Sequence, residues 1–144
     1  MKNSGQRDLM HAVPFARRYA RALTGTQAEG DALVAAVLGA DLPDMAPQLA
    51  LYAAVTRAAP TPRDTTNLSA RQRQLLLLTA LENLSLAEVA LVIGIGAEEA
   101  GFELEVARSA LRAVSATDVI VIEDEPVTAM DIRRVVESCG HRVV

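Results

Sequence analysis

Few side chains here stand where they could do chemistry. The two histidines, His11 and His141, have no second His, Cys or carboxylate at ligand spacing, so neither is given a role. Cys139 is the sole cysteine. It rules out an internal disulfide, fits a reducing compartment, and on an apolar helix face reads as a small buried hydrophobe. No Ser–His–Asp or Cys–His arrangement and no phosphate-cradling glycine loop occurs, so no enzyme is expected. Two acidic groups remain. Glu123-Asp124, taken alone, is a turn at the end of a β-branched run. Glu98, Glu99, Glu103 and Glu105 crowd one helix, where a DNA reader would need Lys and Arg against the phosphates.

Helices must position these groups. Half the chain is apolar, supplied mostly by the strong helix formers Ala and Leu, while aromatics make up 3%. After a frayed tail before Asp8, a helix is expected from Pro14, a residue suited to a first helical position, to Leu23. Ala16, Tyr19, Ala20 and Leu23 share its apolar face, with Arg17, Arg18 and Arg21 on the wet side. Thr26-Gln27-Ala28-Glu29 is a capping box opening a second helix to about Gly39, which buries Leu33, Ala36, Val37 and Ala40 or their neighbours. A third helix, from about Met45 to Ala58, presents Leu49, Tyr52, Ala53 and Thr56. Residues 59–67, with Pro60-Thr61-Pro62, form a linker.

Two further capping boxes, at Ser69/Gln72 and Ser85/Glu88, open the next helices, and Gly94 suits the left-handed residue that ends the second. With the helix through Glu98–Val106, this is the outline of a helix-turn-helix. After Ser115 the period changes. Asp118 to Ile122 reads as a strand buried on both faces, followed by a helix carrying Ile132, Val135, Val136 and Cys139, a Gly140 stop, and a second strand beginning at Val143.

Charge narrows the function classes. Net charge is −4 and the pI is near 5.2, against a phosphate-tracking surface. Between Ser69 and Val114 four arginines face six glutamates, leaving −2. No apolar run spans a bilayer and no signal peptide is present, so a cytoplasmic protein with no membrane partner is expected.

The residues Ile120-Val121-Ile122-Glu123-Asp124-Glu125-Pro126 resemble the opening of a response-regulator receiver domain. The stretch Phe15 to Gly25 with Gly30-Asp31-Ala32-Leu33-Val34 is similar to region 2 of extracytoplasmic-function sigma factors. Leu76-Leu77-Leu78 through Leu86-Ala87-Glu88-Val89-Ala90 and Gly94-Ile95 is similar to region 4. This order of parts resembles the PhyR family of alphaproteobacterial general stress response regulators. The implied fold is mainly α: a region 2-like lobe at 8–58, a linker at 59–67, a region 4-like helix-turn-helix lobe at 68–114, and a partial α/β receiver start, strand and helix, at 117–144.

That resemblance implies an anti-anti-sigma factor. The sigma-like part mimics a sigma factor and sequesters the anti-sigma factor NepR, under control of receiver phosphorylation by a histidine kinase. It gives Glu123 and Asp124 as a would-be Mg²⁺ pair; Mg²⁺ is a cofactor only of a complete receiver. The sequence stops before a phosphoacceptor Asp, so a truncated form without phosphorylation control, permanently available to its partner, is expected. Pairing with another chain through the orphan strand is a further expectation. Candidate partner contacts are Arg17, Arg18, Tyr19, Leu23, Leu33, Val34, Leu38, Phe102, Glu103, Glu105 and Val106. The competing reading is a DNA-binding sigma factor or helix-turn-helix transcription regulator. Acids on the recognition helix, and Tyr52 as the only aromatic where promoter melting needs several, count against it.

Overall fold

The computed structural model describes residues 2–62 and 67–144, with side chains from residue 5. Residues 63–66 of the expected linker lie outside the described residues. Two compact units are present, 1–105 and 106–144.

In the first unit, α1 runs Lys2–Thr24, starting twelve residues earlier than Pro14 suggested, with Pro14 inside it. Proline removes the hydrogen bond to the carbonyl of Met10. Both residues lie on the exposed side, where water can take that carbonyl, so the helix continues. Ala12, Ala16, Tyr19, Ala20 and Leu23 form the buried face, as the sequence indicated.

α2 (Gln27–Leu38) is capped by Thr26, whose hydroxyl accepts the Glu29 N–H at 3.2 Å. The Glu29 carboxylate takes the Thr26 hydroxyl rather than completing a box. Its buried stripe is Gly30, Val34 and Val37: Val37 as expected and Val34 beside the expected Leu33, while Ala36 and Ala40 are exposed. Gly30 sets that phase. A Cβ there would stand 2.6 Å from the Arg21 Cα and N, so α2 lies directly on the α1 backbone.

Pro47 at its first turn starts α3 (Pro47–Ala58), which buries Leu51, Tyr52, Ala53, Val55 and Thr56. α4 (Ala70–Leu76) opens with a complete Ser69/Gln72 capping box and passes into a π-helical turn, Leu77–Leu81. α5 (Leu86–Ile93) has the complete Ser85/Glu88 box and ends on Gly94 at φ +82°. α6 (Ala97–Ser115) begins in this unit and runs into the next. One hydrophobic cluster includes Tyr19, Val34, Leu51, Tyr52 and Val55 from α1–α3 with Leu75, Leu78, Val89, Val92, Ala100 and Leu104 from α4–α6. The helix groups on either side of residues 59–67 therefore share a core and are not separate apolar bodies.

The second unit continues α6 and adds β1 (Asp118–Val119), α7 (Pro126–Ser138) and β2 (Arg142–Val143). The strands pair in parallel, Asp118 opposite Arg142 and Val119 opposite Val143, joined by the α7 crossover. The Arg142 guanidinium holds Asp118 by two 2.8 Å bonds. The strand is shorter and wetter than expected: Ile120 is exposed and Ile122 is 94% exposed. Cys139 is exposed too, and no residue of α7 is buried. A two-residue ribbon has too little area to bury one face of a helix, let alone two faces of its own.

The two tyrosines pack edge to face, ring centroids 5.6 Å apart, and both are buried. Tyr19 shares a 2.9 Å hydrogen bond with Thr56. Desolvation pushes both phenols well above their ordinary range, and the Glu82 carboxylate raises Tyr52 further by accepting its hydrogen bond. Above the unfolded value of about pH 10, the unfolded chain loses protons that the folded chain keeps, so stability falls as pH rises. With no other tyrosine and no tryptophan in the chain, the tyrosinate absorbance band should appear together with loss of helical circular dichroism. A smooth tyrosinate titration with the helices intact would contradict the burial of both rings.

Candidate protein-binding surface

The arginine-rich stretch of α1 is neutralised from within. Asp31, one residue after the Gly30 contact, receives the Arg17 side chain at 3.0 and 2.8 Å and Arg21 at 2.9 and 2.9 Å. The hydrogen bonds from Arg17, then Arg21, hold its carboxyl well below the usual carboxylate range. Arg18 turns the other way. Its Nε and Nη2 each donate to the Glu82 carboxylate at 2.9 Å, Nη2 also reaches the Leu81 carbonyl at 3.3 Å, and the guanidinium lies over the Phe15 ring.

Glu82 has a fully buried side chain, and the Tyr52 hydroxyl donates to it from α3. Gln48 in turn donates to the Tyr52 oxygen at 3.2 Å. Both carboxylate oxygens are thus satisfied, as a buried charge requires. Sequence reasoning counted Glu82 only as one more negative charge. The signal that could have found it was a lone acid at the end of the Leu75–Leu81 apolar run.

Of the expected partner contacts, Arg17, Arg18, Leu38, Phe102, Glu105 and Val106 reach the surface, and Leu33 and Glu103 are half-buried. Tyr19, Leu23 and Val34 belong to the core and present nothing to a partner, because the α1–α2 crossing turns their shared stripe inward. Val106 lies in the second unit and the others in the first.

The helix-turn-helix outline is present: α5, the Gly94 turn, then α6. Gly101 brings α6 close to α5, since a Cβ there would meet the Leu86 side chain at 3.4 Å. The acids of α6 divide into two uses. Glu99 accepts from Arg71 at 2.7 Å and Glu103 from Gln72 at 3.0 Å, so both tie α6 to α4. Glu98 and Glu105 are exposed, with Phe102 between them in sequence and 69% exposed. No Lys or Arg occurs on α6 before Arg108. An exposed aromatic among carboxylates suits a protein partner; the same surface repels a phosphate backbone. Tyr52, being buried, is not available to stack on a base.

Glu123 and Asp124 are exposed after β1, and the Glu123 carboxylate accepts the Glu125 N–H at 3.0 Å. Among the described residues no third His, Cys, Asp or Glu gathers with them. Toward the Mg²⁺ site that the resemblance implies, they offer two carboxylates, one of them turned to its own backbone. Among the described residues, no helix is long and apolar enough to cross a membrane.

Residues 9–56, which are α1 to α3, match the family described as the Sigma2 domain of PhyR. The phyllosphere-induced regulator PhyR of Methylorubrum extorquens is 30% identical, over 92% of this chain and 58% of its own length. PhyR of Bartonella quintana, solved in complex with the anti-sigma factor NepR, is similar at 35% identity and a TM-score of 0.75, over 91% of this chain and 60% of that one. The PhyRSL–NepR complex of Sphingomonas sp. Fr1 gives 30% identity and a TM-score of 0.58, over 74% of this chain and 86% of that one. The chain spans about three fifths of the first two relatives and most of the third.

Proposed function

The chain belongs to the PhyR family, and on that footing we propose that it acts by protein mimicry, as an anti-anti-sigma factor that sequesters an anti-sigma factor of the NepR type. The observation that carries this reading is the chemistry of α6. A helix placed as a DNA reader has lost every cation over its first eleven residues and offers Phe102 to solvent instead. An anti-sigma factor recognises a sigma factor by shape and apolar anchors, so a copy of the outline is sufficient for it. DNA affinity rests on phosphate neutralisation, which this surface cannot provide.

The test is binding of a NepR-type anti-sigma factor by titration calorimetry, beside a gel shift on promoter DNA at low salt. A defined complex with the anti-sigma factor and no DNA shift are expected; a steeply salt-sensitive DNA complex would overturn the reading in favour of a working transcription factor. Phe102→Ala should weaken the anti-sigma complex by about 30-fold, the size of an aromatic hot spot. Being exposed, Phe102 can be removed with a change in folding stability of about 0.5 kcal/mol or less.

A further inference from the structure

The helix groups before and after residues 59–67 share an apolar core, but apolar contact is non-directional and tolerates sliding. Directional bonds also cross between them: Arg73 donates to the Ala22 carbonyl at 2.9 Å and Gln74 to the Thr56 carbonyl at 3.5 Å. The buried and charged one is the Glu82 carboxylate, held by two parallel bonds from Arg18 of α1 and a third from Tyr52 of α3. The backbone departs from regular helix twice to place it. The π-helical turn is closed by the Glu82 N–H on the Leu77 carbonyl, five residues back, and Asn83 follows at φ +56°. Both features cost free energy and persist where the surroundings fix them, often at functional positions. From Glu82 the connection runs back through the π-turn into α4. Arg71 and Gln72 of α4 then hold Glu99 and Glu103 of α6, on either side of Phe102.

We propose that Glu82 is a positioning residue for partner capture, fixing the α1–α3 surface and the Phe102 surface in the one relation that lets a single anti-sigma chain engage both. The proposal rests on the partner reading above. A partner that touches two surfaces gains about 10²–10⁴ in affinity when their geometry permits simultaneous contact, and loses that gain when it does not. Arg18 serves this joint, and it is not available as a separate partner contact.

The test compares wild type, Glu82→Gln, Tyr52→Phe and Val34→Ala, each as the full chain, in calorimetric titrations with a NepR-type anti-sigma factor. The temperature is chosen where circular dichroism shows all of them folded. Glu82→Gln keeps the volume and removes the charge. Val34→Ala lowers core stability away from the network and serves as the control for stability alone. Glu82→Gln is expected to weaken binding tenfold or more, Tyr52→Phe severalfold, and Val34→Ala less than twofold. Folded Glu82→Gln within twofold of wild type would overturn the proposal, as would an equal loss in Val34→Ala. Should Glu82→Gln not fold, Tyr52→Phe decides, and wild-type affinity there is the overturning result. A wild-type chain that fails to bind overturns the partner reading itself, and this proposal with it.

Discussion

Arg18→Ala is expected to lower folding stability by roughly 2–3 kcal/mol, below the usual cost of breaking a buried ion pair because the arginine itself is half exposed. The loss is asymmetric. Removing Arg18 leaves the buried Glu82 charge with only the Tyr52 hydroxyl, whereas removing Glu82 leaves an arginine that can reach water. The Arg18→Ala deficit should therefore exceed that of Glu82→Gln, and it should shrink when Arg18→Ala is made in the Glu82→Gln background, where no buried charge is orphaned. Urea denaturation of the single and double variants measures this. A deficit unchanged in the Glu82→Gln background would mean that Arg18 contributes through packing on Phe15 rather than through the carboxylate.

Gly30→Ala should destabilise by roughly 2 kcal/mol, although alanine is the better helix former by about 1 kcal/mol. The new Cβ would meet backbone atoms of Arg21 at 2.6 Å, which no side-chain rotation can relieve. α2 must lift from α1, and Asp31 next to it would be drawn away from Arg17 and Arg21. Gly5, also inside a helix, has nothing within 4 Å of its Cβ position. Gly5→Ala should accordingly raise the melting temperature while Gly30→Ala lowers it. Equal and opposite-to-expected shifts at the two positions would remove the close crossing from the account.

Helix positions were legible wherever the code is local. Ser69, Ser85 and Gly94 each set a terminus through hydrogen bonds within a few residues of themselves, and each does so in the structure. Pro14 misled, because its cost depends on whether the freed carbonyl faces water, which is a tertiary fact. The stripe of α2 was only partly legible for the same reason: Val37 was expected, but the burial of Gly30 and Val34 is set by one glycine against another helix. On the candidate surface, Phe102 was singled out by its unusual company, and the structure leaves it exposed. Tyr19 and Leu23 were already legible as the apolar face of α1, a pattern at odds with naming them as partner contacts, while the burial of Val34 depends on the α1–α2 crossing. Glu82 carried only one local sign, that of a lone acid closing an apolar run, and its partners lie 64 and 30 residues away. The acids of α6 read as a repelled DNA surface, yet half of them also bind that helix to α4.

A π-helical turn is what a helix makes of one surplus residue. Each residue of an α-helix advances the chain by about 100°. A gene lacking one codon between Leu76 and Glu82 would encode a stretch able to run as plain α-helix, with every later side chain turned by that angle. Glu82 would then leave Arg18 and Tyr52 without any amino acid of the network having been replaced. Length in this short segment is therefore under a constraint of its own, and an alignment of relatives that permits a gap here would pair residues that do different work.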